Sequence, residues 1–159
     1  MTTNGEKAYA LLQDKVGHIE GTGEWFLVDQ GRIDAFAEVT EDRQFIHVDP
    51  ALSAQLSPWG VPIAHGFLTL SLLSHLCGSI PQPPETLQGL LMGVNYGFDK
   101  VRFISPVKVG SKIRATATLS AVDLKDPSNL QVVRTVTVAI EGVAKPAVVA
   151  EWVTRLVYG

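Results

Sequence analysis

Cysteine is nearly missing: Cys77 is the only one in 159 residues, so no intrachain disulfide can form. Its place in an apolar segment makes a buried, inert thiol the expectation, and a reducing, intracellular setting fits. HExxH and paired-cysteine spacings, the patterns that most often announce zinc, are absent. No stretch approaches the roughly 18 apolar residues of a membrane span, and the start MTTNGEKAYALLQDK lacks the basic head and apolar run of a signal peptide. Charge of one sign is scarce too. Thirteen basic against sixteen acidic residues give a net charge of −3 without any like-charge run, which argues against nucleic acid and anionic membrane as partners. The expectation is a soluble cytoplasmic protein whose 46% apolar content supports one domain over residues 1–159.

What is present changes character halfway along. Ala8, Leu11, Leu12 and Val16 recur at helical spacing, and Gly17 is placed to end that helix. Trp25 to Val28 reads as a short strand. Asp29 then caps a helix with Ile33, Phe36, Ala37 and Val39 on one face, which delivers Asp42. Asp49 before Pro50 has the form of an N-cap followed by the first position of another short helix. From His65 to Cys77 a single helix is expected, with Phe67, Leu68, Leu70, Leu72, Leu73 and Leu76 all round it, hence buried on most sides, and Ser71, Ser74 and His75 forming a narrow polar stripe. Pro81, Pro83 and Pro84 close this half. From Met92 onward the pattern is extended. Ile113, Ala115, Ala117 and Leu119 alternate with polar residues, as do Val132, Val136, Val138 and Ile140, and Val148, Ala150, Trp152 and Leu156 share a face. Such an antiparallel meander needs a cover, and the only long apolar element is the helix at 65 to 77. The expected class is α+β, a curved antiparallel sheet wrapped around one central helix.

Asp42 and His47 are the sharpest candidates for chemistry. A carboxylate and an imidazole converging on one water act as base and acid near neutral pH. Gly66 opens the long helix, where unpaired N–H groups point outward and would polarise a carbonyl oxygen. Read blandly, Asp42 ends a helix, His47 packs, and Gly66 only permits close approach. His65 and His75 read as hydrogen-bonded structural histidines, and His18 as exposed. A metal set of Asp42, His47, Asp49 and His65 can be drawn without motif support. Lys100, Arg102, Lys112 and Arg114 read as solvated strand charges, or as partners for the phosphates of a nucleotide-bearing substrate.

TEDRQFIHVDPALSA, PIAHGFLTLSLLS and the later NYGFDKVRFISPVKVGSKIRA together resemble the MaoC-like dehydratases, the (R)-specific enoyl-CoA hydratases of hot-dog fold. The family pattern TGDxNPxHxDPxxA has Gly, Asn and Pro where this chain has Glu41, Gln44 and Phe45, which looks like the branch of nodulation protein N. The resemblance implies that Asp42 and His47 hold the water added to or removed from the 2,3 double bond of an acyl-CoA or acyl-carrier-protein thioester. It implies Gly66 N–H as oxyanion donor and Ser74 as a substrate-binding residue. No metal or organic cofactor is then required, and a homodimer is expected. A thioesterase on the same fold and a non-catalytic acyl-thioester binder are the alternatives, because fold alone does not select a reaction.

Overall fold

The computed structural model describes residues 1–159. Its first half is helical: α1 (Asn4–Gln13), α2 (Gln30–Thr40), α3 (Phe45–Val48), α4 (Pro50–Leu56), α5 (Gly66–Ser71), α6 (Leu73–Gly78) and α7 (Pro84–Leu87), with two short strands β1 (Ile19–Thr22) and β2 (Phe26–Val28) among them. Four long strands follow, β3 (Leu90–Phe103), β4 (Ser111–Asp126), β5 (Asn129–Ile140) and β6 (Val148–Tyr158). The antiparallel sheet runs β1-β4-β5-β6-β3, and β2 pairs with β4 beyond β1. The alternation read from the sequence is the alternation of burial. Ile113, Ala115, Ala117 and Leu119, then Val132, Val136, Val138 and Ile140, all point into the core. Leu68, Leu73 and Leu76 meet that face from the central helix. At the other end of the sheet, α1 lays Ala8 and Leu12 on Leu119, Val122, Leu130 and Val132. A Thr3–Glu6 capping box starts α1.

Two expectations about the central helix are corrected. It is not one rod: α5 ends at Ser71 and α6 begins at Leu73, with Leu72 between them. The Ser71 hydroxyl donates to the Phe67 carbonyl 2.7 Å away, the back-bonding that bends helices. Nor is it buried on most sides. Phe67 is 66% exposed, and Ser71, Ser74 and His75 are exposed as well. Between Asp42 and Asp49, Phe45–Val48 forms a helical turn that carries His47. Asp29 and Asp49 cap α2 and α4 as their sequences foretell, Asp49 Oδ1 accepting from Leu52 N–H at 2.8 Å.

The edge strand β3 stands apart. Its only sheet partner is β6, and Leu91, Met92, Val94, Tyr96 and Phe98 are exposed along it. Its pairing is interrupted by three register shifts, between Leu90 and Met92, Asn95 and Gly97, and Phe98 and Lys100.

Candidate functional site

The site is built where α3 meets the start of α5. Ile63 N–H donates to the Ile46 carbonyl and Ala64 N–H to the Val107 carbonyl, which fixes the approach to α5 between α3 and the β3–β4 connection. On that frame the side chains of Asp42, His47 and His65 gather, with one ligand atom of each lying within 4.8 Å of the others. His47 and His65 stack at 3.7 Å between ring centroids, and Phe36 tilts against His65. Both histidines are buried and Asp42 is half-buried.

Backbone carbonyls decide the imidazole tautomers, because a carbonyl can only accept. His47 Nδ1 lies 2.7 Å from the Ile63 carbonyl, so Nδ1 carries the proton and Nε2 keeps a lone pair. His65 Nε2 donates to the Asp42 carbonyl at 2.9 Å. The hydrogen bond expected of His65 is therefore present, and it holds the backbone of the residue whose carboxylate stands in the site. Gln30 Nε2 on α2 donates to the His47 carbonyl at 2.7 Å, tying α3 from the other side. Burial pushes the His47 pKa below its usual value, His65 adds to the depression, and the Ile63 hydrogen bond and the Asp42 charge oppose it. His47 is accordingly neutral at pH 7.

At three positions this chain departs from the pattern it resembles. Glu41 ends α2 with φ 62°, the left-handed conformation that glycine adopts freely. Gln44 occupies the N-cap of α3 but makes no side-chain cap bond, as asparagine would at that position. Phe45 is the first residue of α3 and half-buried. None of these substitutions displaces the carboxylate–imidazole pair.

Gly66 starts α5 behind an N-cap, His65, that offers no side-chain bond, and the Gly66 N–H has no backbone acceptor. It borders a cavity of about 280 Å³ with Trp59, Thr69, Phe103, Pro106 and Val148. A Cβ at this position would sit 2.9 Å from the Phe103 ring, so both readings of the glycine, free donor and close packing, have a physical basis. Ser74 is not beside Asp42 and His47. It opens into two further cavities along the same helix, about eight residues from Gly66.

Of the drawn metal set, Asp42, His47 and His65 come together, while Asp49 is engaged in capping α4. His47 Nδ1 and His65 Nε2 are engaged by carbonyls, which leaves only His47 Nε2, the enclosed His65 Nδ1 and the Asp42 carboxylate as donors. The strand cations are mostly engaged at the surface. Lys100 pairs with Glu151 at 2.8 Å, Lys112 stands 4.0 Å from Glu141, and Arg114 lies over the Trp25 ring. His18 is exposed, and His75 packs edge-on against Phe26. Cys77 is half-buried, and burial pushes its thiol up to about 11.

One pair of functional interest escaped the sequence reading. Arg134 occupies an inward slot of β5 between the buried Val132 and Val136, opposite Leu119 and Trp152. There it makes a two-pronged bond to Glu20, at 2.6 Å and 3.0 Å. A charge interrupting the apolar alternation of β5 was the available signal.

The sequence profile described as "MaoC like domain" matches residues 13–142. Nodulation protein N of Rhizobium leguminosarum bv. viciae is 47% identical over 150 residues, which are 94% of this chain and 91% of that protein. The 3-hydroxyacyl-thioester dehydratase Z of Mycobacterium tuberculosis is 41% identical over 151 residues, 95% of this chain and 97% of that one. Among solved structures, the (R)-hydratase from A. caviae involved in PHA biosynthesis superposes with a TM-score of 0.68 at 28% identity, covering 87% of this chain and 94% of its own.

Proposed function

The chain belongs to the MaoC-like dehydratase family and has its hot-dog fold, and from that premise we propose that it is a hydro-lyase, an (R)-specific enoyl-CoA hydratase or 3-hydroxyacyl-CoA dehydratase working on the 2,3 double bond of an acyl thioester. The observation that carries the proposal is the tautomer of His47. With Nδ1–H committed to the Ile63 carbonyl, Nε2 is left as an acceptor on a side chain that lies beside the Asp42 carboxylate. A water between them donates one proton to each and turns its lone pairs toward the substrate. As its oxygen bonds to C3, one water proton passes to the pair and the double-bond electrons move onto the thioester oxygen. The Gly66 N–H steadies that developing charge, an effect worth about 3 kcal/mol for a good donor. The enolate then takes a proton at C2 from His47, which returns the pair to its starting state. Dehydration runs the same steps backwards. Neither a metal nor an organic cofactor is needed for this chemistry.

The rest of the proposal concerns surroundings. Residues 1–159 act as a single domain, and Ser74 contacts the acyl part of the substrate. The protein works in the cytoplasm; no helix is long and apolar enough to cross a membrane. Two copies form a dimer, because the exposed Phe67 face of the central helix and the apolar edge strand β3 are surfaces a second copy would cover.

The test is hydration of crotonyl-CoA and a longer trans-2-enoyl-CoA, followed by loss of the conjugated absorbance with free thiol measured in parallel. Loss of the band without thiol release is expected, and Asp42→Asn or His47→Ala should lower the rate ~10²–10⁴-fold while the fold survives. Thiol release from saturated and unsaturated thioesters alike would make the protein a thioesterase instead. Saturable binding without turnover would make it a non-catalytic acyl-thioester binding protein.

A further inference from the structure

Three cavities follow one another along the cleft between the central helix and the β3–β6 pair. The first, of about 280 Å³, lies at Gly66, Phe103 and Val148. The second, about 200 Å³, is reached at Leu70, Phe98 and Trp152. The third, about 270 Å³, lies at Ser74, Cys77, Asn95 and Arg134. In register, Phe103 is opposite Val148, Phe98 opposite Trp152 and Asn95 opposite Thr154, so the three succeed one another down a single strand pair.

The third cavity is not a simple hydrocarbon sleeve, although Leu87, Leu90 and Leu156 line part of it. Arg134 and Glu20 reach it from core-facing positions, and Glu20 points inward because the register of β1 on β4 shifts at that residue. The pair is largely buried, with 14% of the Arg134 side chain and 10% of the Glu20 side chain accessible, and such a pair contributes little to stability compared with apolar residues of the same volume. Its presence here therefore suggests a task. Arg134 gives Nε and one Nη to Glu20, and its other Nη has no protein partner. The Ser74 hydroxyl and the Asn95 amide, both exposed into the cleft, also make no protein hydrogen bond, whereas Tyr158 and Thr86 are engaged with the backbone.

We propose that Arg134, Ser74 and Asn95 form a subsite for a neutral oxygen, a keto or hydroxyl group, on the distal part of the acyl chain, so that the substrate is an oxygenated acyl thioester and not a plain alkyl one. The cluster is rich in donors. Glu20 neutralises the arginine, and a substrate carboxylate would be repelled by that acid, which leaves an uncharged acceptor as the matching group. From Gly66 to Ser74 the helix rises roughly 12 Å, which places the oxygen about ten bonds from the thioester carbonyl in an extended chain. This inference rests on the acyl-thioester reading above, and its test is arranged to separate the two.

Binding of unreactive saturated ligands is measured first, by calorimetry on the wild-type protein with dodecanoyl-CoA and with its keto analogue carrying the oxygen about ten bonds from the carbonyl. Turnover of the two corresponding trans-2-enoyl-CoAs is measured alongside. The keto ligand should bind about tenfold or more tightly and show a comparable advantage in kcat/KM. Glu20→Gln with Arg134→Met removes both charges together, so no unpaired ion remains, and should erase that preference, the two ligands then binding with equal affinity. Ser74→Ala should weaken the preference in the same direction. Equal affinity of the wild-type protein for both ligands, or a preference that survives in the double variant, overturns the subsite. Absence of turnover with an intact binding preference would overturn hydration and leave the subsite standing.

Discussion

At His47 four influences act on one ring, and their balance sets a pH dependence. Burial comes first and His65 adds to it, both holding the pKa below the unperturbed value of about 6.5, while the Ile63 carbonyl and Asp42 pull the other way. In the unfolded chain the ring takes up its proton near pH 6.5, and in the folded protein only at lower pH. Between those two values the unfolded state binds more protons, so folding stability falls as the pH drops through that window and is unaffected by His47 above it. Urea unfolding at pH 7.5 and 5 should show this loss, and His47→Gln should reduce it. The same depression keeps Nε2 unprotonated, so the acid limb of kcat/KM should fall below pH 6.5. An acid limb above that value would contradict a buried neutral base.

At the scale of the element, α2 ends in a strained residue. Glu41 holds a left-handed backbone, its carboxylate and that of Glu38 meet the Arg43 guanidinium, and all three side chains are exposed. Such surface pairs add little stability, so the backbone term decides the outcome of Glu41→Gly. The substitution should raise the unfolding free energy by about 0.5–1 kcal/mol once the looser unfolded chain is counted. Chemical denaturation checks it, and a loss of stability would show that the ion pairs matter more than the φ angle.

The elements also show what was legible in the sequence and what was not. Period-two alternation identified β4, β5 and β6, and side chains with one strong local use, Asp29 and Asp49, marked the starts of α2 and α4. The break at Leu72 was hidden because it depends on the Ser71 hydroxyl choosing the Phe67 carbonyl. β1 was hidden because four residues with a register shift carry no periodicity. In the site, the proximity of Asp42 and His47 followed from their spacing. The tautomer of His47 did not, since it is set by a carbonyl sixteen residues away. Ser74 came from the family pattern alone, and within one chain it lies along the cleft and away from Asp42 and His47.

For the molecule as a whole, the sheet has an uneven pair of edges. β4 is covered on its outer side by β1 and β2 in turn, whereas β3, fourteen residues long, has no strand on its outer side, with Leu91 67% and Tyr96 64% exposed. If a second copy covers this strand and Phe67, sedimentation should report twice the chain mass. Met92→Lys combined with Tyr96→Lys should convert it to the single-chain mass at micromolar concentration, because like charges would then face each other across the symmetry axis. A wild-type protein that sediments as one chain would remove the dimer from the proposal.

The backbone contacts around Asp42 and His47 have an evolutionary consequence. His65 holds the carbonyl of Asp42, Gln30 holds that of His47, and the His47 ring is itself anchored to the carbonyl of Ile63. Every one of these contacts ends on a main-chain oxygen, which any amino acid supplies. Positions 41, 44 and 45 are therefore free to drift, and mutations there explore loop shape without first dismantling the Asp42–His47 pair. A lineage can change the residues between Asp42 and His47 without unseating either side chain, provided Gln30 and His65 stay in place.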